Sequence, residues 1–213
     1  MLKSLIKNIF DRKDDFAKII YYKNIEGWLT EKEALVLYQI AKKIKKGSTV
    51  VEIGSWQGKS SYCIAKGLDS DIKFFAIDPF DGTGTVNNSF FEKKMKEYES
   101  GSVLDIFMFH MSREKLKPEI IPKKGYSQEF KNEFDKIDFL FIDGNHSLEG
   151  VLEDYRNYEY KIPAGGYIAL HDYKEGREGL GPTHLVKNVP EFYEKYEFIG
   201  LYDTVWVGKK KKL

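Results

Sequence analysis

The feature that most constrains this chain is an alternation. Between Thr49 and Asp172 the short apolar runs TVVEIG, IKFFAID, Ile120–Ile121, IDFLFID and YIALHD are separated by segments of mostly helical length and pattern. Strands that alternate with helices build βαβ units, and a strand returns parallel to its predecessor only through such a crossover. Runs such as FLFI and VVEI are apolar toward both faces, as a sheet covered on both sides by helices requires. The expected fold is therefore α/β, doubly wound on a mainly parallel sheet. The last two runs, FIGLYD and TVWVG, depart from the pattern. Only a turn at Asp203–Thr204 lies between them, so they can pair only as antiparallel neighbours.

Helices are expected over 30–46, closed by Gly47, over 58–68, along FFEKKMKEYES, over 147–161 and near 183–195. The stretch to Lys117 reads as helical or irregular, and Lys174 to Gly181 as a glycine-rich loop. Upstream, Leu2, Leu5, Ile6, Ile9, Phe16, Ile19 and Ile20 recur at helical spacing. This divides the chain into an N-terminal helical extension, 1–29, and one domain, 30–213, and 213 residues hold one sizeable core. The extension is expected to pack on the domain or on a second subunit, giving a homo-oligomer, in preference to lying on a membrane.

Lys+Arg total 34 against 33 Asp+Glu, so no basic footprint points to nucleic acid. No run approaches the ~20 apolar residues of a membrane span, and MLKSLIKNIF lacks the apolar core of a signal peptide. Lys209 to Lys212 read as a solvated tail. A single cysteine, Cys63, precludes an internal disulfide and fits a reducing cytoplasm, with a small buried helix residue as its role.

In doubly wound sheets, ligands bind beyond the carboxyl ends of the strands. Those ends here are Glu52-Ile-Gly54-Ser55-Trp56-Gln-Gly58-Lys-Ser60, Asp78-Pro-Phe80-Asp81, Gly125-Tyr-Ser127, Asp143-Gly-Asn-His146 and His171-Asp172. Acids beside a core are costly unless paired or used, so their clustering at strand ends marks a site. The first loop has three readings. As a dinucleotide fingerprint it fails, because Trp56 takes the place of the middle glycine and blocks a pyrophosphate. As a phosphate-binding loop it ends correctly in Gly58-Lys59-Ser60, but Ile53 stands where glycine is needed and Glu52 sets negative charge beside a triphosphate. The third reading is E-x-G-x-x-x-G followed by an acid that ends the next strand. The glycines let the turn pass under a cofactor, and Ser60 opens a helix whose N-terminus favours a carboxylate. Asp78 can accept both hydroxyls of a ribose, and Phe80 can lie against a base.

That third pattern resembles the signature of class I methyltransferases. From Gly27 to Gly208 the chain resembles their macrocin-type O-methyltransferase branch, with its cephalosporin-hydroxylase-like relatives. The matching pieces are VVEIGSWQGKSS, AIDPF, GYSQE, IDFLFIDGNHSLEGVLEDYRNY, IPAGGYIALHDY and TVWVG. The resemblance implies a seven-stranded sheet of order 3-2-1-4-5-7-6. It implies S-adenosyl-L-methionine held by Glu52, Gly54, Ser55, Trp56, Gly58, Ser60, Asp78, Phe80, Ser127 and Asp143. It further implies a divalent ion near Asp143 and Asp172, and His146 as the base.

The residue types fit that chemistry. Asp143 and Asp172 end strands that should be neighbours, about 4.8 Å apart, and two carboxylates so close share a proton or a cation. A hard cation there, Mg2+ or Mn2+, can also bind an acceptor hydroxyl and lower its pKa. His171 departs from the second acid found in the resembling enzymes. As a third ligand it suits manganese, iron or zinc better than magnesium. His146, three residues past Asp143, has an ordinary pKa near 6.5 and can take the proton. The expected activity is methyl transfer to a hydroxyl of a small molecule, a sugar or secondary metabolite preferred. Rival readings are the phosphate-loop enzyme, the same fold acting on nitrogen, and a non-catalytic partner that keeps the fold.

Overall fold

A computed structural model describes residues 13–81 and 102–212. Within them one sheet has the order β3-β2-β1-β4-β5-β7-β6. Its strands are β1 Thr49–Ile53, β2 Lys73–Asp78, β3 Glu119–Lys124, β4 Phe139–Ile142, β5 Tyr167–Leu170, β6 Tyr196–Tyr202 and β7 Val205–Lys210. β1 to β5 run parallel, while β7 is antiparallel to both β5 and β6. The hairpin therefore closes the sheet as the two-residue turn required. The helix expected over FFEKKMKEYES and the apolar stretch through Ile9 lie outside the described residues.

The helices are α1 Lys13–Ile19, α2 Glu31–Ala41, α3 Lys59–Gly67, α4 Val103–Ser112, α5 Ser127–Phe130, α6 Leu148–Tyr158, α7 Gly181–Asn188 and α8 Pro190–Lys195. A capping box between Thr30 and Glu33 starts α2. α2 stops at Ala41, short of the expected 46, and the chain turns through the lysines to Gly47 at φ +75°. The single helix expected near 183–195 is two. Pro190 lacks an N–H and biases Val189 to extended backbone (φ −104°, ψ 99°), which splits α7 from α8.

Side chains alternate across the sheet and fill two cores. On one face Val50, Phe74, Phe139, Phe141 and Val207 meet Leu37, Ile40 and Ile64 of α2 and α3. On the other, Val51, Leu140, Ile142, Ile168 and Leu170 meet Val151, Tyr155 and Leu185 of α6 and α7. Ile19, Tyr22 and Ile25 are buried in the first core. They anchor the segment before α2, so that Glu26 to Leu29 line the cavity at the carboxyl end of the sheet. Among the described residues no helix is long and apolar enough to cross a membrane.

Candidate active site

The parallel strands deliver their carboxyl ends to one rim, where a cavity of about 410 Å³ opens. Its floor begins at Gly54, which leaves β1 at φ +90° and donates its N–H to Ile77 O. A Cβ on Gly54 would stand 2.2 Å from the Asp143 carbonyl oxygen. Only glycine lets the turn pass this close to the backbone at the end of β4. Gly58, at φ +92°, precedes α3 and sits against the Phe107 and Met111 side chains instead of the cavity.

Asp78 ends β2. Its carboxylate accepts the Trp56 N–H at 2.9 Å and the Phe80 N–H at 2.6 Å. Burial pushes its pKa up to about 6, and these donors moderate the rise. Each oxygen keeps a further lone pair, enough to accept the two hydroxyls of a ribose. Ser55, Trp56, Ser60 and Asp78 all line the cavity, while Glu52 and Phe80 are placed elsewhere. Glu52 is fully buried behind the turn, because it shares its strand face with Val50, toward α3. Ser60 donates to it at 2.5 Å and Ser61 donates to its other oxygen. Burial pushes the Glu52 carboxyl up to about 7. Phe80, expected against a base, packs edge-on to Phe107 in the core at 5.3 Å, and Pro79 takes its place on the wall.

At another part of the wall Ser127 begins α5. Its hydroxyl donates to the buried Asp154, and Tyr158 donates to its carbonyl at 2.5 Å. Burial pushes Asp154 up to about 7.

The ends of β4 and β5 differ in kind. Asp143 Oδ1 lies 3.3 Å from His146 Nε2 and 3.0 Å from His171 Nδ1. Asp172 Oδ2 lies 3.0 Å from His146 Nδ1, and its Oδ1 pairs with Lys174 at 3.1 Å. The His146 ring is thus held between two carboxylates. Burial opposes charging it, but Asp143 and Asp172 override this and push its pKa up to about 9. The ring is charged near neutrality, which corrects the expectation of a histidine left neutral by an ordinary pKa. The two histidines in turn hold Asp172 well below the carboxylate range; they also lower Asp143 against the effect of its burial.

Asp143, His146 and His171 each present a ligand atom, all within 4.8 Å of one another. This grouping differs from the expected Asp143, His171 and Asp172, because Asp172 turns to His146 and Lys174. His171 is buried, yet among the described residues neither ring nitrogen has a hydrogen bond of proper geometry. A carboxylate with two imidazoles, one of them unsatisfied, fits a borderline divalent ion better than magnesium.

Two residues at the site, Glu33 behind His171 and Asp154 on the wall, were not singled out from the sequence. Glu33 was legible only as a helix cap, Asp154 only as an acid on a helix, and nothing local says that they reach His171 and Ser127. Trp28 is 62% exposed at the mouth of the cavity.

Residues 51–173, more than half of the chain, match the family model described as a methyltransferase domain. The chain belongs to that family. Its sheet order is that of the class I, S-adenosylmethionine-dependent methyltransferases, and membership removes the phosphate-loop reading of Gly54 to Ser60. Among solved structures, the O-methyltransferase NovP superposes with TM-score 0.64 at 16% identity, covering 87% of this chain and 84% of its own. TomG, an O-methyltransferase of Streptomyces achromogenes involved in tomaymycin synthesis and solved with S-adenosylmethionine, gives 0.52 at 12% identity, covering 95% and 92%. An uncharacterized protein of Acanthamoeba polyphaga mimivirus is 33% identical over 73 residues, 31% of this chain, and the chain spans 33% of its length.

Proposed function

We propose that this methyltransferase acts on a hydroxyl of a small molecule, a sugar or secondary metabolite, with S-adenosylmethionine as donor. The observation that carries the reading is the His146 ring, held between Asp143 and Asp172 on the same cavity wall as the Gly54 turn and Asp78. The donor supplies a methyl group on a sulfonium, so the protein's work is positioning and proton removal. Gly54, Ser55 and Trp56 form the floor beneath the donor, Asp78 accepts from its ribose, and Ser127 with Asp154 borders its base. Trp28 and its neighbours at the mouth face the acceptor.

His146 Nε2 takes the acceptor proton once the ring is neutral, and Asp172 at Nδ1 fixes the tautomer that does so. Asp143 and His171 are the residues that would hold a divalent ion, beside the His146 ring. Such an ion would lower the acceptor's pKa and offset the carboxylate charge around His146. The named O-methyltransferases of the same fold support a hydroxyl acceptor over a nitrogen. Cys63, buried and unpaired, suits a reducing compartment.

Two measurements test the proposal. S-adenosylhomocysteine should raise the melting temperature, since a ligand that binds only the folded state stabilises it. A screen of sugar and phenol acceptors, with and without Mn2+ or Mg2+, should then give turnover with at least one hydroxyl. A melt shifted by ATP or NAD but not by S-adenosylhomocysteine overturns the donor. Methylation confined to amines overturns the acceptor, and full turnover in excess chelator removes the ion.

A further inference from the structure

Glu33 is a capping residue in an unusual place. The box itself needs only its bond from the Thr30 N–H, 2.8 Å to Oε2, and such a side chain normally faces water. This one is 2% exposed. Its Oε1 accepts both the N–H of Thr204 at 2.9 Å and the Thr204 hydroxyl at 2.7 Å, from the turn between β6 and β7. Neutral donors thus fix the carboxylate from two elements but leave its charge uncompensated, which is costly in a core. The basic group it faces is His171, with Nε2 3.6 Å from Oε2. On its other side the same ring stands edge-on to Phe141 at 6.4 Å and brings Nδ1 to within 3.0 Å of Asp143.

We infer that Glu33 is a positioning residue, which turns His171 so that its Nδ1 serves as a nitrogen ligand for a borderline divalent cation beside Asp143. The inference rests on the cation reading given above. In a neutral imidazole one nitrogen donates and the other accepts. Carboxylates face the ring on both sides and a carboxylate only accepts, so a cation held by Asp143 and Nδ1 takes the Nδ1 lone pair and leaves the single ring proton on Nε2, toward Glu33. A histidine ligand backed by a carboxylate on its far nitrogen is the arrangement that fixes tautomer and ring direction in metal sites. Nitrogen ligation favours manganese, iron or zinc over magnesium. Both buried ring nitrogens lack a well-directed partner among the described residues, as expected of a ring set for a ligand beside it.

The experiment is a Zn2+ titration of the whole metal-free protein with 15N-labelled histidine, read by long-range NMR of the ring nitrogens. The His171 signals are identified by their loss in His171→Asn. Zn2+ should shift Nδ1 while Nε2 keeps its proton. Glu33→Gln, which sets an amide NH2 against the Thr30 or Thr204 N–H, should weaken Zn2+ binding about 10- to 100-fold and mix the tautomers. Should that variant fail to fold by circular dichroism, Thr204→Ala decides, because it keeps the charge and removes one of the two donors that hold Oε1; a weakening of several-fold is expected. Zn2+ on Nε2, or undiminished Zn2+ affinity in the folded variant, overturns the role of Glu33 and leaves the cation reading standing. No shift of any ring signal with Zn2+ overturns the cation reading, and the ligand role with it.

Discussion

The two ends of the crevice solve the burial of carboxylates in opposite ways. Beyond β1 and β2, Asp78 and Glu52 face backbone N–H groups and serine hydroxyls, all neutral, and burial pushes them up to about 6 and about 7. Beyond β4 and β5, Asp143 and Asp172 face imidazoles, and both are pulled down. At the first end the carboxyls titrate close to neutral pH among neutral donors, which suits recognition of hydroxyls and amines by hydrogen bonds. The second holds separated charge in a partly dry corner, which suits moving a proton or binding an ion. One rim, built from equivalent strand ends, thus divides into a binding half and a reacting half.

The division is tested hardest at His146. His146→Ala should lower single-turnover methylation by about 10² to 10⁴ while S-adenosylhomocysteine affinity, measured by calorimetry, stays nearly constant. In the wild type the rate should rise with pH toward about 9, the value to which Asp143 and Asp172 push the ring. Added divalent ion should draw that limb to lower pH by offsetting the carboxylates. Equal losses of turnover and donor affinity would mean that the two halves are not separate.

Next in size is Gly54, where the halves touch. Gly54→Ala places a methyl 2.2 Å from the Asp143 carbonyl oxygen at a φ of +90°, and its three nearest contacts are all backbone. Overpacking and strain together should cost about 3 kcal/mol in urea unfolding, with donor binding lost as well. A variant as stable as the wild type would show that the β1 and β4 ends can move apart.

The alternation of apolar runs carried the sheet, its parallel part and the final hairpin, because period and spacing are local properties. The strand-end acids were legible for the same reason. What the sequence did not carry was the pairing between distant segments. Asp143 and Asp172 were expected to share an ion, yet the chain sets His146 between them, 3.3 Å and 3.0 Å away. Phe80 read as a base-stacking residue because of its position after Asp78. Its φ of +52° is a conformation that no motif announces, and the ring lies in the core. Glu33 lies 138 residues before His171 in the chain. Its capping role was written in T-x-x-E, whereas its place behind a histidine depends on how α2 packs on the sheet.

The smallest expected effect at neutral pH, and the clearest in sign, concerns Glu52. With a folded pKa of about 7 against an ordinary value of 4.5, its side chain is about half protonated at pH 7. Between those values the unfolded chain has released the proton that the folded protein keeps. The unfolded state then binds fewer protons, so this group makes stability fall as pH rises from about 4.5 to 7, with no further change well above. Glu52→Gln removes the titration and nearly keeps the shape. Ser60 and Ser61 both donate to the carboxylate, and a hydroxyl can turn to accept from the amide, so the network survives the exchange. Near pH 6 the variant should therefore lie within about 1 kcal/mol of the wild type. At pH 8 it should be the more stable of the two, with a flatter profile of urea-unfolding free energy against pH. Parallel profiles would mean that Glu52 is ionised at both pH values, and the binding half would then hold its buried carboxylates fully charged, as the reacting half does.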